Sequence, residues 1–229
     1  MRFTVFIDPT APQDKPETQQ MLVIHKVMRR EFDVLPKLVA AVPPGDVRQA
    51  KRVAGHANLL LMFLHHHHDS EDRMLWPAML ARAPMDAATV EKAEKQHEVV
   101  AGLIETVQAT VNRWQTGASE SVRDHLVGEL RQLYDALIEH LDDEEADILP
   151  LVHEHVTVAE WDATTRDAAE GMPKNPKIGL LMAGMVLEDA TPAERVWFLG
   201  ELPPPVRLVW RAVGERMYNR YVHSVRQDR

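Results

Sequence analysis

The chain has 229 residues, 45% of them apolar and 6% aromatic, with a net charge of −9. A core of domain size can be buried, and the negative balance argues against general nucleic-acid binding. With no cysteine, disulfides, thiolate metal sites and catalytic thiols are excluded, and His, Asp and Glu remain as metal ligands.

Residues 1–15, with Asp8-Pro9 and Ala11-Pro12, read as an extended segment. They lack the apolar run of a signal peptide, and no stretch is long and apolar enough to span a bilayer, so a cytoplasmic location away from membranes is expected. A first helix is predicted from about Pro16 to Val42, with Met21, Ile24, Met28, Phe32 and Leu35 at helical spacing and Pro36 as a late kink. Pro43-Pro44-Gly45-Asp46 stops it, and Asp46 can cap a second helix from about Val47 to Arg82, with Pro77 as a late break. A third helix is expected over about Ala87–Gln115. A fourth opens after Ser119 and runs past Pro150 to about Val152. Long helices joined by short loops imply antiparallel neighbours, so residues 16–152 read as an all-α, up-down-up-down four-helix bundle.

Residues 153–229 read as a helical C-terminal extension. Thr157 caps a short helix to about Ala169, and further helices are predicted at Ile178–Leu187, Pro192–Leu199 and Pro205–Val225. Six Arg face two acids between 203 and 229, so a basic amphipathic last helix is attached to an acidic body. It is expected to pack on that body, or to serve a homodimer or protein partner.

Two segments repeat one frame. His67 precedes Glu71 by four residues and Pro77 by ten, and His140 stands in the same relation to Glu144 and Pro150. A four-residue step puts His and Glu on one face, one turn apart, so both can address one centre. The other two helices each place one His on an apolar stripe, His25 and His97. Measured from the connecting loops, these four His differ in height by roughly 3–8 Å at about 1.5 Å per residue, so all can meet at one level. Four His and two Glu in a bundle suit a pair of iron or manganese ions. In the repeated frame His precedes Glu by four, unlike the Glu-x-x-His order of ferritin-like proteins, and the HExxH of zinc proteases is absent.

The pattern His25, His67-x-x-x-Glu71, His97, His140-x-x-x-Glu144 resembles the hemerythrin-like, HHE cation-binding family over about residues 16–152. That resemblance implies two iron ions joined by an oxo or hydroxo bridge. His25 and His67 would serve one, His97 and His140 the other, and Glu71 and Glu144 would bridge both. The oxygen carriers have a second His one turn after the helix-three His, where this chain has Ala101, and end in His-x-x-x-x-Asp. The departures place the chain with the bacterial, non-oxygen-carrier branch. In the F-box iron sensor of this family the residue directly after the helix-two His, a Glu, is an added ligand, and here that residue is His68. With four His, two bridging carboxylates and an oxo bridge on two octahedral ions, two positions remain, and His68 would fill one. Met28, Phe63, Ala101 and Leu137 fall one turn from these ligands, as core or as an apolar pocket over the metals.

Other candidates have blander readings. His56 lies three turns from His67 and reads as a satisfied interior histidine; His125 with Glu129 lies too far along the helix to join the centre. Asp69, Asp72, Asp142, Asp143 and Glu145 read mostly as a solvated acidic face, from which one or two can accept an imidazole N–H. The function expected is binding or reduction of a small oxidant, namely peroxide, nitric oxide or oxygen. The alternative is an oxygen, nitric oxide or iron sensor signalling through the extension without turnover.

Overall fold

The computed structural model describes residues 14–226. The extended segment expected at 1–15 lies almost wholly outside them; Asp14 to Glu17 are non-helical, and helix α1 (Gln19–Ala41) begins three residues after Pro16. Among the described residues there is no strand.

The bundle is built from α1, α2 (Val47–Ser70) with its continuation α3 (Trp76–Arg82), α4 (Ala87–Gly117), and α5 (Glu120–Asp143) with its continuation α6 (Leu149–His155). The main helices form a ring in which α1 packs on α2 and α5, and α4 packs on the same two. Loop chemistry fixes the ends. The Asp46 carboxylate accepts from the Gln49 N–H and caps α2. Gly45 supplies a φ of 81° in the first loop, and its N–H donates to the carbonyl of Ala118, which follows α4. The first and third turns are thereby tied together at one end of the bundle, as antiparallel helices require.

Pro77 and Pro150 do not end their helices. Each is preceded by a π-turn, Glu71–Leu75 and Glu144–Ile148, in which the Trp76 N–H reaches back to the Glu71 carbonyl and the Leu149 N–H to that of Glu144. A proline offers no N–H to the carbonyl four residues back and its ring collides with it. One extra residue in the turn relieves both, and the helix continues. The repeated His/Glu/Pro frame is therefore a repeated backbone device, with the glutamate at its first position.

The C-terminal extension folds back on the bundle. It comprises α7 (Val158–Gly171), α8 (Pro176–Glu188), α9 (Pro192–Glu201), α10 (Pro204–Val209) and α11 (Glu215–Arg226). Thr157 and Glu160 form a capping box on α7. The predicted last helix is interrupted by a third π-turn, Trp210–Gly214, where a side chain at Gly214 would collide with the Trp210 ring. Leu180, Leu181, Met185, Trp210, Tyr218 and Val225 join the same core as the upper bundle. A second core, with Met21, Trp76, Met79, Val90, Ile148 and Val152, lies at the opposite end. No helix is long and apolar enough to cross a membrane among the described residues.

The basic last helix docks on acidic groups. Glu31, buried in α1, accepts from Arg30 (2.9 Å) and Arg226 (3.0 Å) and lies 3.2 Å from His56 Nε2. His56 Nδ1 shares a 2.8 Å hydrogen bond with the Tyr221 hydroxyl. Arg226 also pairs with Glu188, to which Tyr218 donates. Gln49 donates to the carbonyls of Ser224 and Val225 at the end of α11. The close approach of α8 to α11 depends on Gly184, where a Cβ would meet the Tyr218 ring at 2.2 Å.

Candidate metal centre

Between the two cores, every bundle helix sends polar side chains inward at one level. His25, His67, His68, Glu71, His97, His140 and Glu144 are all buried. His25, His67 and Glu144 have ligating atoms within 4.8 Å of one another; so do His68, His97 and His140, and so do His67, His68 and Glu71. The four His and two Glu singled out by spacing thus lie together, with His68 among them. Its ring stacks on that of His97, centroids 4.0 Å apart.

Residues adjoining the repeat orient the ring. His97 Nδ1 bonds to the Asp72 carboxylate at 2.5 Å, and Trp76 Nε1 donates to the same oxygen. His25 Nδ1 bonds to Glu145 at 2.9 Å, and Arg29 holds that carboxylate. Asp72 follows Glu71, and Glu145 follows Glu144. Each half of the repeat therefore carries an inward carboxylate and, one residue on, a carboxylate that orients the His of a facing helix. These contacts fix which imidazole nitrogen points into the centre. Among the acids read as a solvated face, these two have a defined partner in the site. The sequence signal was the acidic residue after each repeat Glu.

Other residues lie apart. Met28 and Leu137 are buried in the larger core, while Phe63 borders a cavity that reaches His67 and Glu71. Ala101 is exposed on α4 and lines no pocket over the centre, because the helix has turned that position to solvent. His125 is exposed, 3.0 Å from Glu129, and His56 belongs to the Glu31 network.

The centre is electrostatically incomplete. The Nε2 atoms of His25, His67 and His68 and both carboxylate oxygens of Glu71 and Glu144 are buried with no hydrogen-bond partner. Buried polar atoms without partners are costly, and so many acceptors converging on one volume fit cations better than any protein donor within reach. Burial lowers the pKa of His67 to about 3 and of His140 to about 4, the neighbouring imidazoles adding to the effect against the pull of Glu144. His68 is likewise driven well down by burial and the charges of its neighbours. For His25, burial opposes charge, but the Glu144 and Glu145 carboxylates outweigh it and raise the pKa to about 9. Burial and the Glu144 charge push Glu71 well up. Glu144 goes far down despite its burial, because His25 stands beside it.

In the metal-free chain at neutral pH, His25 therefore holds a proton that a cation must displace. Apparent affinity should rise as pH increases from 7 and level off above about 9, where His25 is already neutral. Each displaced proton is worth about tenfold per pH unit. Calorimetric titration of the metal-free protein with a divalent cation, in buffers of different ionisation enthalpy, should register proton release. Binding without release would contradict this charge assignment.

The family model for the hemerythrin HHE cation binding domain matches residues 18–152. The chain belongs to the hemerythrin family. The match ends inside α6, so it covers the bundle and the centre but none of the extension. No curated protein and no solved structure matches the chain. As a hemerythrin HHE domain, the bundle is of a cation-binding kind, and its His/Glu groups are the residues that could hold the metal.

Proposed function

We propose that the chain is a non-haem di-iron protein that binds or reduces a small oxidant such as peroxide, nitric oxide or oxygen. The observation that carries this reading is the set of His clusters gathered around two buried carboxylates whose oxygens have no hydrogen-bond partner. One ion falls to His25 and His67, the other to His97 and His140, with Glu71 and Glu144 reaching both. His68 is an added ligand, since its Nε2 has no hydrogen-bond partner and its ring shares one cluster with His97 and His140 and another with His67 and Glu71.

When bound, an iron pair supplies two one-electron centres and open positions for a small ligand. The protein does the rest. Asp72 and Glu145 lock the facing imidazoles, the π-turns present both carboxylates at one level, and an apolar core lies on either side of the centre. A sensing role without turnover is the second reading. It is favoured by one feature: α7, α8 and α9 of the extension wall a cavity that also touches His67 and Glu71.

Aerobically purified protein should contain about two iron per chain and show the near-ultraviolet absorption of an oxygen-bridged ferric pair. His68→Ala should retain both irons, because the bridging frame survives, while its spectrum and peroxide reactivity change. An iron-free parent would sink the di-iron reading. A variant with the parent's spectrum and reactivity would remove His68 from the ligand set.

A further inference from the structure

A cavity of about 500 Å³ lies between the α1–α2 face of the bundle and the extension. Its floor includes His67 and Glu71, and its walls are Ile24, Phe63, Ile178, Met182, Trp197 and Phe198. The small oxidants of the proposed function have two heavy atoms. At about 30 Å³ for each water-sized atom, the cavity has room for roughly fifteen, within the range of pockets that enclose an organic ligand. Its apolar walls offer nothing to peroxide. They lower the free energy of an apolar body removed from water.

Polar side chains gather elsewhere on the cavity wall. Gln20, Lys174 and Glu201 border it, and neither Lys174 nor Glu201 forms an ion pair among the described residues. Both are exposed, so they mark the mouth. The helices that build three of the walls lie beyond the residues matched by the hemerythrin HHE model. The chamber is thus an addition that the extension makes to the metal-binding bundle.

We propose that this chamber binds an amphipathic organic molecule, with an aliphatic or aromatic body enclosed and one polar end at the Lys174 mouth, so that the body lies against the metal centre. Binding goes beyond the di-iron reading, and only the body's position beside the ions rests on it.

Decanol and decanoate are suitable probes, one with a neutral and one with an anionic end. Binding to the full chain is followed by the fluorescence of Trp161 and Trp197, which both line the cavity. Gly179, also on its wall, has no atom within 4 Å of where a Cβ would stand. Gly179→Phe should therefore fill space without a backbone clash and weaken binding at least tenfold, while Gly179→Ala retains it. Ala168→Phe, from α7 rather than α8, should repeat the loss. In iron-loaded protein the alkyl proton signals of the bound probe should broaden relative to metal-free protein. The proposal is overturned if neither probe binds, if both Phe variants bind as the parent does, or if an iron-loaded complex shows no broadening. A chain that takes up no iron but binds the probe, and loses it in both Phe variants, refutes the di-iron reading and upholds the chamber.

Discussion

Glu144→Ala is expected to strip most of the metal from the protein and to lower its melting temperature by about 8–16 °C. The carboxylate is fully buried, beside His25, His67 and His140, and no protein donor satisfies it. A cation held about a thousandfold above its dissociation constant stabilises the folded state by about 4 kcal/mol, and for a chain of this size each kcal/mol moves the midpoint by about 2–4 °C. Glu129→Ala is the matched control. Glu129 is also a buried glutamate on α5, but it accepts from Thr110 in the larger core. Its loss should cost only about 1 kcal/mol and leave the metal in place. Metal analysis and thermal melts of the two variants decide the matter. Equal metal loss in both would defeat the assignment of Glu144.

Glu31→Ala should destabilise the protein by a comparable amount and leave the metal content unchanged. Removing one member of a buried ion network costs about 3–5 kcal/mol, a midpoint shift of about 6–20 °C. Arg30, Arg226 and His56 all converge on this carboxylate, which ties α1 and α2 to α11. Burial alone would raise its pKa; His56 and the two arginines outweigh burial and bring it to about 2. Because the folded value is depressed, this contribution is complete above the ordinary glutamate value of 4.5 and disappears as pH falls toward 2. Glu31→Gln, which keeps the shape and an acceptor oxygen, should recover part of the loss. An unchanged melting temperature in Glu31→Ala would show the network to be idle, and metal loss would show it to be coupled to the centre.

Much of the architecture was legible because helices announce themselves locally. Periodicity, Asp46, Thr157 and the proline-glycine turns locate the bundle helices and the first helix of the extension to within a few residues. The inward histidines could be picked out because loop lengths fix heights in an antiparallel bundle. The π-turns were not legible. Pro77 read as a late break and Pro150 as a residue the helix runs past, since a proline signals a missing donor but not whether the backbone stops or widens to pass it. Asp72 and Glu145 were hidden among acidic neighbours, for the charge pattern alone does not tell an imidazole acceptor from a solvated acid. Ala101 shows the limit of stepping one turn along a helix from a ligand. Four residues overshoot a full turn, and on α4 that carries the position out to solvent. The chamber could not be foreseen at all, because it arises from how α7, α8 and α9 lie over the bundle, and no local pattern encodes that docking.

The position of the centre along each helix has a consequence for unloaded chains. On α1 His25 separates Met21 of the smaller core from Met28 of the larger; on α4, His97 separates Ala93 from Val100. The same order holds between Leu64 and Leu75 around His67, and between Leu137 and Ile148 around His140. A polar layer thus lies between the two apolar clusters, and in the di-iron reading proposed above cations would bind its sides together. Without them the smaller core, with few buried residues of its own, becomes the cheapest part of the molecule to open. Local opening of that kind is what proteases detect. A freshly made chain that has found its metal and one that has not would then differ in lifetime before they differ in chemistry, so cofactor loading doubles as a checkpoint on survival.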